Sequence, residues 1–257
     1  MTFPEKLSDR EKFIEEQVVA GNFEAKWTEL SYSHMDKNIK LLVMEDALKV
    51  EGIRVNVSAR LAQRLADMFY ASLPTAMVVD LMFIHAVRKA NPCPQPISST
   101  VAAMKKHSDS IEKQIGSSRG LAAPVGKHWI LDKKMEPAKT GTSCNYGWHF
   151  TGSTFQGIKG FPAASSLAGS NVKVIQPNAT AHDMLHSDYS QTCQLVSQQC
   201  WVDGVEKRFS DLLSDPVLAG LVSHQGVLKF NRQPGVDPVV GQVVLFPVIV
   251  NVDDAIS

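Results

Sequence analysis

With 257 residues, 44% hydrophobic and 20% charged, the chain has the material for a sizeable core and fits one large domain or two small ones. Lys+Arg and Asp+Glu balance at 26 each, so there is no basic footprint of the kind that phosphate backbones or anionic lipids attract, and neither nucleic acid nor a membrane surface is expected as a partner. The opening Met1 to Arg10 is polar and charged and no stretch approaches the ~18 apolar residues of a membrane span, which together lead us to expect a cytoplasmic protein.

The first half reads mainly helical. Ser8 and Glu11 have capping-box spacing ahead of Phe13, Ile14 and Val18, and Gly21-Asn22 supplies a stop, predicting a helix over residues 9–20. Between Trp27 and Val57, runs of β-branched and aliphatic residues at Ile39 to Met44 and Ile53 to Val57 flank Glu51-Gly52 and predict a small β element. Ser58 then caps a helix through Leu61, Leu65, Met68 and Phe69 that ends at Leu73-Pro74. Thr75 starts another, over 76–90, that is apolar on nearly every side and therefore central and buried. Its Asp80 and His85 need partners, and a network with His107 would supply them. Pro92, Pro94 and Pro96 make a stiff connector, after which Ser98 or Ser99 caps a third helix through Val101, Met104, Ile111 and Ile115 to Gly116. A boundary is placed near residue 118, giving a helical region 1–118 and a β-rich region 119–257.

Beyond it the texture is that of strands: Trp129 to Leu131, Tyr146 to Phe150, Val172 to Ile175, Cys193 to Val202, Val227 to Phe230 and Val243 to Val250. Asp203-Gly204 reads as a hairpin turn. One helix, interrupted at Pro216, is expected over Phe209 to Val222. Ser153 to Ser170 reads as a glycine-rich loop longer than the about 12–15 residues usual for structureless connections, and so as a lid or binding loop. The fold class is α+β, with a helical N-terminal half containing the small β element and a C-terminal half built on a mainly antiparallel sheet.

Chemistry-bearing side chains gather between Cys144 and Ser190, where three of the eight histidines fall. Buried groups of this kind need partners, so the stretch is the candidate site. In a metal reading, His182 and His186 lie four apart on a short helical turn and Asp188 adds a carboxylate, a set suited to a divalent ion such as zinc, with His149 as a further nitrogen. In a cysteine reading, Cys144 is the nucleophile, activated by His182 or His186. The third reading needs neither: His149 or His186 is the general base, Tyr189 or Tyr146 the acid, and Asp188 the orienting carboxylate. Ser190 beside a histidine lacks the glycine elbow of a serine nucleophile. Strict alternation sends Tyr146, Trp148 and Phe150 to one face and His149 to the other. Were the aromatics exposed, they would offer a platform for a sugar ring.

His149, His186, Asp188 and Tyr189 are thus the catalytic candidates, Asn145, Tyr146, Trp148 and Ser190 the substrate-binding ones, and His182, His186 and Asp188 the metal candidates. His34 and His224 read as surface residues. All four cysteines, Cys93, Cys144, Cys193 and Cys200, read as reduced thiols in packed surroundings, without a CxxC pair. The leading function is a hydrolase acting on a polar peptide or saccharide, such as a cell-wall substrate. The competing readings are a binding module for a small or polymeric polar ligand, and a structural protein that exposes the apolar 76–90 helix.

Overall fold

The computed structural model describes residues 2–116, 118–135, 142–155, 157–164 and 167–240. In chain order the elements are α1 (Leu7–Val19), β1 (Trp27–His34), β2 (Lys37–Met44), β3 (Lys49–Val50), β4 (Ile53–Arg54), α2 (Ala59–Met68), β5 (Ala71–Ser72), α3 (Ala76–His85) and α4 (Val101–Ile115). There follow β6 (Lys127–Ile130), β7 (Thr142–Thr151), β8 (Thr154–Phe155), β9 (Ile158–Lys159), β10 (Phe161–Pro162), β11 (Val172–Asp183), β12 (Gln191–Thr192), β13 (Val196–Val202), β14 (Val205–Arg208) and α5 (Phe209–Ser214), then a 3-10 turn at Ala219–Leu221. The class is α+β with mainly antiparallel sheets, the single parallel ladder among the described residues joining β12 to β6.

Local chemistry explains several helix ends. The hydroxyls of Ser58 and Thr75 accept from Leu61 N and Val78 N and so cap α2 and α3. The cap of α4 is Thr100, one or two residues beyond the expected serines. The Ser8–Glu11 capping box does not form: α1 begins at Leu7, and the Glu11 carboxylate instead accepts from Ser58 N at 2.7 Å, tying α1 to the start of α2. Gly21, at φ +80°, ends α1 through bonds from Gly21 N to Val18 O and from Asn22 N to Gln17 O.

One sheet runs β1-β2-β13-β14, with β5 on β13; the other runs β10-β11-β7-β6-β12. Strands from both sides of residue 118 share the first sheet, and one apolar cluster spans both sides, from Ile14 and Leu65 to Val196 and Phe209. Asp203 and Gly204, both at positive φ, form the expected hairpin turn between Val202 and its partner Val205. Val227 to Phe230 is irregular instead of a strand, and the 153–170 stretch holds the β8–β9 hairpin and β10. The expected strand at 243–250 lies outside the described residues. Helix α3 lies against β7 and is buried from Met77 to Phe83, so it offers no broad exposed apolar face for assembly. No helix among the described residues is long and apolar enough to cross a membrane.

Candidate functional site

Strand β7 carries the site, and its backbone decides which side chains meet. Paired residues on neighbouring antiparallel strands share a face, so Asn145 and Trp129 lie on one side and Tyr146 and His128 on the other. Alternation would then put Trp148 with Tyr146 and His149 with Asn145. The order is reversed at this point because Gly147 (φ +113°) and Trp148 (φ +65°) are both left-handed. His149 therefore joins Tyr146 on the α3 side, and Trp148 turns to the opposite side, edge-on to His107 and Tyr189. Both aromatics, Tyr146 and Trp148, are buried, which removes the exposed platform a sugar ring would need.

On the α3 side the hub is Asp80, fully buried. Its Oδ1 accepts from the Tyr146 hydroxyl at 2.8 Å and from His149 Nε2 at 2.7 Å, and His224 Nε2 lies 3.4 Å from Oδ2. Phe83 stacks on the His149 ring at 4.9 Å. The Tyr146 oxygen also accepts from Ala164 N, and burial beside Asp80 pushes the phenol well above its ordinary pKa. Tyr146 is thus a fixed, protonated donor to Asp80. His224, expected at the surface, is the one histidine of this cluster with access to open space: it lines a cleft of about 230 Å³ with Tyr146, Asp132, Asn178 and Gln225. A wider depression of about 560 Å³, lined by Tyr32, Leu81 and Ile84, opens on its other side. A further one of about 580 Å³ lies between α1 and α2, where Arg60 and Arg64 pair with Glu11 and Glu15 and leave no chemistry unassigned.

The far wall of the 230 Å³ cleft is held by Asp132, which accepts from Lys134 N, Asn178 Nδ2 and Gln225 Nε2. Each amide nitrogen keeps a second N–H. Cys144 stands behind Asn178 and donates to its Oδ1 at 2.7 Å. Its sulfur is buried, burial and the nearby Asp132 push its thiol pKa upward, and no histidine is bonded to it among the described residues. A neutral thiol held without a base lacks what a cysteine nucleophile needs.

The remaining candidates lie on the other face. His182 stands at the end of β11 instead of on a helical turn, paired with Ser143. Ser143 and His149 are separated by roughly 20 Å of strand at about 3.3 Å per residue, so His149 does not reach His182, and its own bond runs to Asp80 on the α3 side and not to the expected His186 or Asp188. The His182 and His186 rings stack at 4.3 Å, and His186 Nε2 is 4.0 Å from Asp188. Asp188 is committed elsewhere: Oδ1 accepts from Ser190 N and Oγ, and Oδ2 from Lys127 Nζ at 3.1 Å. Burial opposes its ionisation, but Lys127 and Ser190 outweigh burial and hold its pKa low. Tyr189 closes a loop, accepting from Gln95 N and donating to Gln95 O. Asn145 is fully buried, and neither amide atom is bonded among the described residues. Among the described residues no group of three or more His, Cys, Asp or Glu side chains could hold a metal ion.

Its position in an apolar helix marks Asp80 as a group in need of partners, but these are Tyr146, His149 and His224; His85 is exposed, and His107 bonds to Val125 O. Nothing local marked His224, Asn178 or Gln225. No family model, curated protein or solved structure matches this chain.

Proposed function

We propose that the protein is a hydrolase whose centre is His224, held by Asp80 at the 230 Å³ cleft, acting on a small polar amide or ester. The observation that carries this reading is the buried carboxyl of Asp80 bonded to two histidines and a tyrosine, with one of the histidines, His224, reaching a cleft. With Nε2 donating to Asp80, a neutral His224 presents the lone pair of Nδ1, the arrangement of a general base for water. His149 and Tyr146 are positioning residues that fix the Asp80 carboxyl. The spare N–H groups of Asn178 and Gln225 would bind the substrate carbonyl. The volume falls below the about 300 Å³ at which drug-sized sites begin, so one side chain or one small acyl group fits, and the buried aromatics speak against a saccharide.

A panel of p-nitrophenyl esters and aminoacyl p-nitroanilides tests this. Wild-type turnover should fall at least about a hundredfold in His224→Ala with thermal stability little changed. A second reading, a non-catalytic binding module, is favoured by the bonds that tie Asn178 and Gln225 to Asp132 and Gln225 to Lys133 N, which stiffen one wall. It would be selected if the wild type and His224→Ala turn over the panel equally slowly while a small amide still binds.

A further inference from the structure

On the other face of β7, and independent of the cleft, Cys93 and His107 form a pair that the proposed activity does not use. Cys93 sits in the stiff Pro92-Cys93-Pro94 connector and is the one cysteine of the four with partial exposure. Its sulfur is 3.4 Å from His107 Nδ1. The tautomer of His107 follows from its other nitrogen: Nε2 lies 3.1 Å from Val125 O, which can only accept, so Nε2 carries the proton. In the neutral ring Nδ1 is then the lone-pair nitrogen, and the Cys93 S–H donates to it. Trp148 and Tyr189 close edge-on against the ring at 5.5 and 5.4 Å and hold its plane. A nucleophile, a base in reach and a third group orienting the base are the parts of an activated thiol.

We propose that Cys93 and His107 form a covalent modification centre for carbon electrophiles of the activated-alkene class. Sγ bonds to the β-carbon of the alkene and the π pair moves toward its carbonyl. The thiol proton passes to His107 Nδ1 and from there to the α-carbon. The product is a one-to-one thioether, with His107 neutral again and no other reactant consumed. In the resting pair, burial raises the Cys93 thiol to about 11 and lowers His107 to about 4, so both are uncharged near neutral pH. The charged groups acting on His107 are Arg54, Asp188 and Lys127, and Ser110 bonds toward the sulfur.

The test is N-ethylmaleimide labelling of the native protein, followed by intact mass and peptide mapping. Base-assisted attack depends on neutral His107, so the rate should change less than about threefold between roughly pH 5.5 and 8.5, with the label on Cys93. Attack by free thiolate would instead climb about tenfold per pH unit, and that slope, or a label on a different cysteine, overturns the proposal. His107→Gln keeps a donor for Val125 O but has no base. It should lose at least about tenfold at pH 6 and acquire the slope; an unchanged flat rate would also overturn the proposal. If this variant does not fold, the wild-type pH profile decides alone.

Discussion

Asp80 Oδ1 and His149 Nε2 lie 2.7 Å apart with both side chains closed to solvent, although the two residues belong to a helix and a strand 69 positions apart. The contact exists because Asp80 has nowhere else to go: every neighbour on α3 from Met77 to Phe83 is buried and apolar, and a carboxyl in such surroundings requires donors. Asp80→Ala would strand the Tyr146 hydroxyl and the His149 N–H together. We expect a loss of about 3–5 kcal/mol in urea unfolding, and a loss under about 1 kcal/mol would mean that water replaces the carboxyl.

The left-handed pair in β7 yields a second expectation. A Cβ on Gly147 would meet Val79 Cγ1 at 3.2 Å and would be held at φ +113°. Gly147→Ala should therefore cost about 1–3 kcal/mol and loosen His149 from Asp80. Chemical denaturation measures the first, and the His149 imidazole NMR shifts report the second; a neutral substitution with unmoved shifts would contradict it.

Acid sensitivity follows from His128. Its Nε2 donates to Gln194 Oε1, whose amide donates in turn to Met44 O and Ala122 O, and burial pushes the imidazole down to about 4. Unfolding restores the ordinary value near 6.5, so the unfolded chain binds the extra proton between those limits. Stability is full above about pH 6.5 and declines as pH falls toward 4, by about 3 kcal/mol for this group. His128→Gln, which can still donate to Gln194, should flatten the slope by about one proton in urea midpoints between pH 4 and 7. An unchanged slope would assign the acid limb to other groups.

Asn145 supplies a test of the other face. Its amide is buried without a partner among the described residues, which penalises the folded state unless something polar lies against it. Asn145→Leu, of similar volume, should leave stability within about 1 kcal/mol of wild type or raise it. A clear drop in the melting temperature would instead make Asn145 part of a bound-water or ligand site.

How much of this was legible in the sequence depended on range. Ser58 and Thr75 were readable as caps because a hydroxyl acts on an amide three residues away. Asp80 was readable as a polar group in need of partners. His224 was not, since its role depends on Asp80, 144 positions away, and its own neighbours are unremarkable. The sorting of Tyr146, Trp148 and His149 failed for a different reason: a glycine can be read, but the left-handed turn at the following tryptophan cannot be told from residue type. Ser8 and Glu11 had the right spacing and lost to tertiary geometry, because the Ser58 amide claimed the Glu11 carboxylate.

The two left-handed residues also make β7 answerable to two neighbourhoods at once. Trp148 packs against His107, the partner of Cys93, while His149, one peptide bond along, is anchored to Asp80 behind the His224 cleft. A rotation of that single peptide plane would disturb both neighbourhoods together. Sequence change at residues 147 and 148 is thus screened by two unrelated sets of contacts, and a replacement that satisfies one still has to satisfy the other.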